Sequence, residues 1–423
     1  MSKLALFGGQ PTRIAPFPPH PMIGEEEKRA VMDVLDRGEL STFVAAPGKY
    51  FLGGKNIKEF ERRFADYHAV QFAVAFNSAT AALHAAVVAV GVAPGEEVIV
   101  PPYTFTATAT CALMADAVPV FADVQPAMCC ISPDAIEANV TPLSRAVIPV
   151  HLFGYPAEMD DIMAVARRHG LKVIEDCAQA PGARYKGRLV GTMGDCGIFS
   201  FTENKNITTG EGGMLITNDQ AIAEAARMVR NHGEAIWEGQ TTRTYAPTML
   251  GWNYRMTEME AALGIVQFGR MEWLNAQRAE LSEYLTAHLS DIASLELPRV
   301  VEGNTHAYYV YAMRYDDSNG VPRDIVVKAL NAEGIPFGGG YIRPLYLSPI
   351  YQDRRLPAFK LHRGELRYDK GICPVAERLH EREVLLTAIA RPPATTTDMA
   401  DVVSAIRKVM AAIPELQASA ATA

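Results

Sequence analysis

Lys205 follows the apolar run Cys196-Gly197-Ile198-Phe199-Ser200-Phe201, and Asp176 closes the run Leu171-Lys172-Val173-Ile174-Glu175. Singly, the lysine reads as a solvated surface charge and the aspartate as a helix cap. As a pair at the exits of two strands they have a specific use. A lysine amine bonds to a carbonyl compound as a Schiff base, is displaced by an incoming amine, and then moves a proton between two carbons. A carboxylate set against a pyridine nitrogen keeps that nitrogen protonated, so the ring accepts the electron pair of a breaking C–H bond. These are the demands of pyridoxal phosphate, and Lys205 and Asp176 are the expected catalytic residues. Ligands of α/β sheets sit beyond the carboxyl ends of the strands, which is where both residues fall.

The same cofactor needs a phosphate cradle and a ring to stack on. Asn77-Ser78-Ala79-Thr80-Ala81-Ala82-Leu83 follows the apolar residues 72–76 and opens an alanine-rich helix, whose N-terminal N–H groups favour an anion. The hydroxyls of Ser78 and Thr80 are the expected phosphate ligands, with an ordinary helix cap as the competing reading. Pro101-Pro102-Tyr103-Thr104-Phe105-Thr106 follows another apolar run, so Tyr103 or Phe105 could stack on the pyridine.

The elements that must hold these groups are those of an α/β domain. Between residues 77 and 219, short apolar runs at 97–100, 118–121, 146–150, 171–175, 196–201 and 214–217 alternate with amphipathic stretches such as 160–169. This pattern predicts a mostly parallel sheet covered on both sides. Residues 220–230 and 256–289 then read as long helices, 306–314 as a strand and 322–333 as a helix. The expected division is a large domain over residues 1–260, including the N-terminal segment, and a smaller α+β domain over 261–423 whose linking helix starts near Glu258. Residues 416–423 read as a frayed tail.

Composition narrows the class. The 423 residues are 49% hydrophobic and 21% charged, enough apolar material for a large core. A net charge of −8 without a basic block argues against a nucleic-acid partner. No run approaches the roughly 18 apolar residues of a membrane span, and the N-terminal apolar run is too short for a signal peptide, so a soluble cytoplasmic protein is expected. The six cysteines form no C-x-x-C pair, which fits isolated thiols and no metal site.

Several of these segments occur together in one order: Ser78-Ala79-Thr80, Pro102-Tyr103-Thr104-Phe105, Pro149-Val150-His151-Leu152-Phe153-Gly154, Glu175-Asp176-Cys177-Ala178-Gln179, Ser200-Phe201-x-x-x-Lys205, Arg230-Asn231-His232-Gly233 and Gly251-Trp252-Asn253-Tyr254-Arg255. The set resembles the DegT/DnrJ/StrS family of sugar aminotransferases. That resemblance implies fold type I of the pyridoxal enzymes, with an aspartate aminotransferase-like architecture. It makes Lys205 the Schiff-base lysine, Asp176 the pyridinium partner, Gln179 the contact to the cofactor's ring hydroxyl and Phe105 the stacking ring. Ser200 joins Ser78, Ala79 and Thr80 around the phosphate. It further implies a homodimer with shared active sites, in which Asn253 reaches the neighbour's phosphate. Ser-Ala-Thr stands where Ser-Gly-Thr is frequent in the family, and alanine is still small enough for a close approach. Lysine at position 205, in place of the histidine of the dehydrating branch, favours transamination.

The opening Leu4-Ala5-Leu6-Phe7-Gly8-Gly9-Gln10-Pro11 is similar to the starts of members that aminate keto-inositols or make aminohydroxybenzoate. The expected acceptor is therefore a keto-cyclitol or unactivated keto sugar in secondary-metabolite or antibiotic biosynthesis, with L-glutamine or L-glutamate as donor. A UDP- or dTDP-linked keto sugar is the alternative, with Lys186, Arg188, Arg255 and Arg343 available for its diphosphate. A non-catalytic pyridoxal-binding sensor has no need to keep Lys205, Asp176 and Gln179 together. Residues 37–55 and 338–341 are the expected substrate loops.

Overall fold

The computed structural model describes residues 3–43, 48, 50–235, 240–242 and 246–420. The short apolar runs become a seven-stranded sheet of β1 (Phe72–Phe76), β2 (Glu97–Val100), β3 (Val118–Phe121), β4 (Ser144–Val147), β5 (Lys172–Asp176), β6 (Cys196–Ser200) and β7 (Gly213–Thr217). Its order is β1-β7-β6-β5-β4-β2-β3. β7 runs antiparallel to β1 and β6, and the remaining pairs are parallel. Central side chains such as Val98, Ile99, Ile174, Ile198 and Leu215 are fully buried, which requires helices on both faces. Among those helices are α1 (Ala79–Ala89), α2 (Ala107–Met114), α3 (Met159–His169) and α4 (Gln220–Arg230).

The periodic stretch 256–289 is two helices rather than one, α5 (Glu258–Gly269) and α6 (Met271–Leu289), broken where glycine meets Arg270. Glycine costs about 1 kcal/mol against alanine in a helix interior, so Gly269 is one of two weak points of the pattern, the other, Gly264, staying inside α5. Thr257 and Glu260 close a capping box at the start of α5. Helix α6 spans two cores: Leu274 packs with the large sheet, while Leu281, Leu285 and Leu289 pack in a second apolar cluster.

That second cluster lies on a small antiparallel sheet of β8 (Leu295–Glu296), β9 (Tyr311–Tyr315), β10 (Gly338–Gly339) and β11 (Val384–Thr387), in the order β8-β9-β11-β10. Helices α7 (Arg323–Ala332), α8 (Thr396–Ala411) and α9 (Ile413–Ala420) complete this half. The strand expected at 306–314 begins only at Tyr311, because Tyr308 takes a left-handed φ of 45° that extended pairing does not tolerate. The expected C-terminal tail is α9 as far as Ala420, held by the fully buried Leu416; residues 421–423 lie outside the described residues.

The N-terminal segment, read from sequence as part of the large domain, contributes Leu4 to the second core. Buried Glu333, just past α7, accepts from Ala5 N, Thr12 N and Thr12 Oγ1 at 2.8 to 2.9 Å, and from Lys408 Nζ at 2.8 Å. Arg13 pairs with Asp398 and Asp401 of α8, each at 2.8 Å. Within the expected substrate loop 37–55, positions 44–47 and 49 lie outside the described residues. No helix among the described residues is long and apolar enough to cross a membrane.

Candidate active site

Asp176 is the last residue of β5 and pairs with Ile198 of the neighbouring β6, whose exit leads to Lys205. Both side chains therefore emerge at the same carboxyl edge of the sheet. There a cavity of about 260 Å³ brings together Ser78, Ala79, Thr80, Phe105, Asp176, Gln179, Ser200 and Lys205. Of the two candidate aromatics, Phe105 lines the cavity, whereas Tyr103 is fully buried and edge-on to Tyr341 at 5.9 Å. Asn253 does not line it: the residue is exposed, with its Oδ1 accepting from Arg255 Nε at 2.9 Å.

Electrostatics separate the two central groups. Burial pushes the Lys205 ammonium down to about 8 against the pull of Asp176, so far more of the amine is neutral near physiological pH than in an ordinary lysine. Burial pushes the Asp176 carboxyl up, opposed by hydrogen bonds from Ala178 N at 3.1 Å and Thr108 Oγ1 at 2.8 Å and by the charge of Lys205. A carboxyl raised by burial gains most from a cation placed against it, which is what a protonated pyridine nitrogen supplies.

The backbone of Asp176 is fixed as firmly as its side chain. Its N–H donates to Pro149 O at 2.9 Å and its carbonyl accepts from His151 N at 3.0 Å. Directly behind it, fully buried Glu175 collects the N–H groups of Gly191, Met193 and Gly194 at 2.6 to 2.8 Å, and His151 Nε2 at 3.1 Å. Burial opposes ionisation of Glu175, but His151 and these N–H groups hold its carboxyl below the usual value. Gln179 is oriented from both ends: its Oε1 accepts from Phe153 N at 2.7 Å, and its Nε2 donates to Tyr341 Oη at 2.9 Å.

One end of the cavity is the N-terminus of α1. Ser78 caps it by accepting from Ala81 N at 3.1 Å, which leaves the first N–H groups of the helix without intrahelical partners. Gly213 of β7 presses on this turn: a Cβ there would stand 2.5 Å from Ser78 C, Ser78 O and Ala79 N. The residues thus fit pyridoxal phosphate in three separate respects, with an amine of lowered proton affinity for the aldehyde, a buried carboxyl for the ring nitrogen and a helix terminus for the phosphate.

Further residues without an expected role line the cavity. Thr108 holds Asp176, and Tyr309 presents its ring to Lys205 Nζ at 4.3 Å from the centroid. Glu211 accepts from Thr202 Oγ1 at 3.2 Å at the cavity wall. Tyr341, expected as part of a substrate loop, lines the cavity and accepts from Gln179 Nε2.

Comparison with known proteins supplies the context. The DegT/DnrJ/EryC1/StrS aminotransferase family model matches residues 23–407. The chain is 36% identical over 423 residues to L-glutamine:2-deoxy-scyllo-inosose aminotransferase of Streptomyces kanamyceticus, covering 97% of each chain. It is 38% identical over 332 residues to GDP-perosamine synthase of Caulobacter vibrioides, covering 78% of this chain and 85% of that one. The X-ray structure of an aminotransferase from Psychrobacter cryohalolentis matches with a TM-score of 0.84 and 33% identity, over 94% of this chain and 100% of that one.

Proposed function

The chain belongs to the DegT/DnrJ/EryC1/StrS aminotransferase family, whose members use pyridoxal phosphate on fold type I, and on that premise we propose its donor, its acceptor and the work of its residues. The donor is L-glutamine or L-glutamate, and the acceptor is a free keto-cyclitol or keto sugar, aminated in two half-reactions for secondary metabolism.

The observation that carries the acceptor reading is the charge of the cavity wall. Among its described lining residues Lys205 is the one base, beside Asp176 and Glu211, and the other polar groups are hydroxyls and amides. A diphosphate is ordinarily recognised by arginines and lysines. A polyhydroxylated ring calls instead for groups such as Thr104, Thr202, Asn204, Tyr309 and Tyr341. Lys186, a candidate diphosphate ligand by sequence, is paired with Asp160 at 2.6 Å. The near full-length likeness to a glutamine:2-deoxy-scyllo-inosose aminotransferase points the same way.

Pyridoxal phosphate, when bound, supplies the electron sink for the breaking C–H bond. In this reading Lys205 would hold it and would carry a proton on Nζ between substrate and cofactor carbons. Asp176 keeps the ring nitrogen protonated, and Thr108 keeps Asp176 aimed. Gln179 would contact the ring hydroxyl and Phe105 would stack on the ring. Ser78, Ala79, Thr80 and Ser200 hold the phosphate, and Asn253 serves the neighbour's phosphate in a homodimer.

The likeness to GDP-perosamine synthase favours a second reading, a nucleotide-linked acceptor. One assay separates the two: the cofactor-loaded enzyme is given L-glutamine with either 2-deoxy-scyllo-inosose or a GDP-, UDP- or dTDP-linked keto sugar, and the aminated product is identified. Amination of the nucleotide-linked sugar in preference to the free cyclitol would reverse the assignment.

A further inference from the structure

Three charged side chains line the cavity among the described residues, Asp176, Lys205 and Glu211. Bound cofactor would occupy two of them, Lys205 at its aldehyde and Asp176 at its ring nitrogen. Glu211 has neither role, and no base among the described residues is paired with it. Its carboxylate meets one side chain among them, Thr202, whose Oγ1 donates to Oε1 at 3.2 Å. Thr202 lines the same cavity.

The turn between β6 and β7 fixes the place of Glu211. Thr209 Oγ1 donates to the Glu211 carbonyl, and Gly210 N donates to Thr208 Oγ1 at 2.9 Å. Phe201 N donates to Gly212 O and Thr209 N to Phe201 O, each at 2.9 Å, which stitches the turn to the end of β6. A Cβ at position 212 would collide with Thr209 Oγ1 and the Met256 methyl, so the backbone beside Glu211 has no second course. Thr202 in turn accepts from Lys205 N on its carbonyl at 3.0 Å. One residue thus links the carboxylate to the turn that carries the reactive amine.

Counting donors and acceptors gives this carboxylate a use. Hydroxyls and amides such as those of Thr104, Thr202, Asn204 and Tyr341 can both give and take a hydrogen bond. A polyhydroxylated ring brings several O–H groups whose protons need acceptors. With the cofactor bound, Glu211 is the one described lining side chain that accepts, cannot donate and is still free. Hydrogen bonds to an ionised acceptor are roughly twice as strong as neutral ones. We propose that Glu211 is a specificity-determining residue of the acceptor half-reaction, taking ring O–H groups of the keto-cyclitol or keto sugar on its carboxylate beside Thr202. This rests on the reading that the acceptor is a polyhydroxylated ring. The same charge repels the α-carboxylate of glutamine or glutamate, so the contact belongs to the acceptor half and not to the donor half.

Glu211→Gln keeps the shape and removes the charge, and because Glu211 is exposed the substitution spares the core. Stopped-flow absorbance of the cofactor-loaded enzyme reads the two half-reactions separately. Conversion of the visible band by L-glutamine is expected within about twofold of the wild-type rate, whereas its return with 2-deoxy-scyllo-inosose should need roughly tenfold or more of the acceptor. Equal losses in both halves would make Glu211 a merely structural part of its turn and overturn the proposal. An acceptor half indifferent to the substitution overturns it too. If wild type aminates only a nucleotide-linked keto sugar, the free-cyclitol reading falls by itself: the same tenfold shift measured on that sugar keeps Glu211 in its role, and no shift removes both. Amination of neither acceptor by wild type removes the polyhydroxylated-ring reading and the role of Glu211 with it.

Discussion

Lys205 Nζ lies 4.3 Å from the centroid of the Tyr309 ring, so the reactive amine leaves one core and rests on an aromatic from the segment that leads into β9. The ring helps to dehydrate the amine, and dehydration is the first cause of its lowered proton affinity.

Capture of pyridoxal phosphate by the cofactor-free protein is therefore expected to quicken as pH rises, with a half-maximum near the Lys205 value of about 8, because the neutral amine is the attacking form. Tyr309→Ala admits water and moves that midpoint upward, toward the ordinary lysine value of 10.5. Lys205→Ala captures none covalently. Stopped-flow absorbance across pH gives all three results, and a midpoint that ignores Tyr309 would contradict the role given to its ring.

Thr108→Val deletes the 2.8 Å donor to Asp176 Oδ2 and lets the carboxyl rise further. Loss of a hydrogen bond to a charged group costs about 1.5–3 kcal/mol, which corresponds to cofactor binding weakened roughly tenfold or more. Asp176→Asn removes the charge itself and is expected to lower turnover by about a hundredfold or more. Equilibrium titration and steady-state rates for the two variants distinguish aim from charge.

Gly213→Ala drives a Cβ into the backbone of Ser78 and Ala79. Overpacking of this kind costs about 1–3 kcal/mol and displaces the phosphate turn. The variant should lose affinity for pyridoxal phosphate while its weaker affinity for phosphate-free pyridoxal stays near that of wild type. Equal losses for both compounds would mean that β7 does not set the phosphate site.

If Asn253 serves the neighbour's cofactor, Lys205→Ala and Asn253→Ala fail in different halves of a shared site. Denaturing and refolding an equal mixture then rebuilds one intact site in each mixed dimer, with recovery of about a quarter of wild-type activity. Two impaired parents that give only the mean of their activities would place Asn253 outside the neighbouring site.

His68 is 4% exposed, stacks on Phe64 at 4.5 Å and keeps Nε2 without a partner. Burial pushes its imidazole from 6.5 down to about 4. The unfolded chain binds this proton at higher pH than the folded one, so its contribution to stability is lost as pH falls from about 6.5 to about 4. Melting temperatures measured from pH 7 to 4.5 should fall less steeply for His68→Phe than for wild type.

What the sequence could disclose followed from how each residue is held. Lys205, Asp176, Gln179 and Ser78 stand in runs of consecutive residues that follow a strand, so strand and loop announce them together. Thr108 sits between Thr106 and Thr110 on one short helix, and only the packing of α2 against the end of β5 selects the one that reaches Asp176. Tyr309 comes singly from the small half, and no local pattern separates it from core aromatics. The element borders that moved have equally local causes, a left-handed Tyr308 and a glycine before Arg270.

The attachment of the first residues to Glu333, Lys408 and the acids of α8 bears on how the molecule is assembled during synthesis. Leu4 is synthesised long before Ile406 and Leu416, which complete the core it enters. The large sheet has all its strands once Thr217 has emerged, whereas the small half cannot close until α8 and α9 have been made. Until then the segment around Leu4 lacks the contacts of Ala5 N with Glu333 and of Gln10 O with Lys408 that hold it in the finished fold.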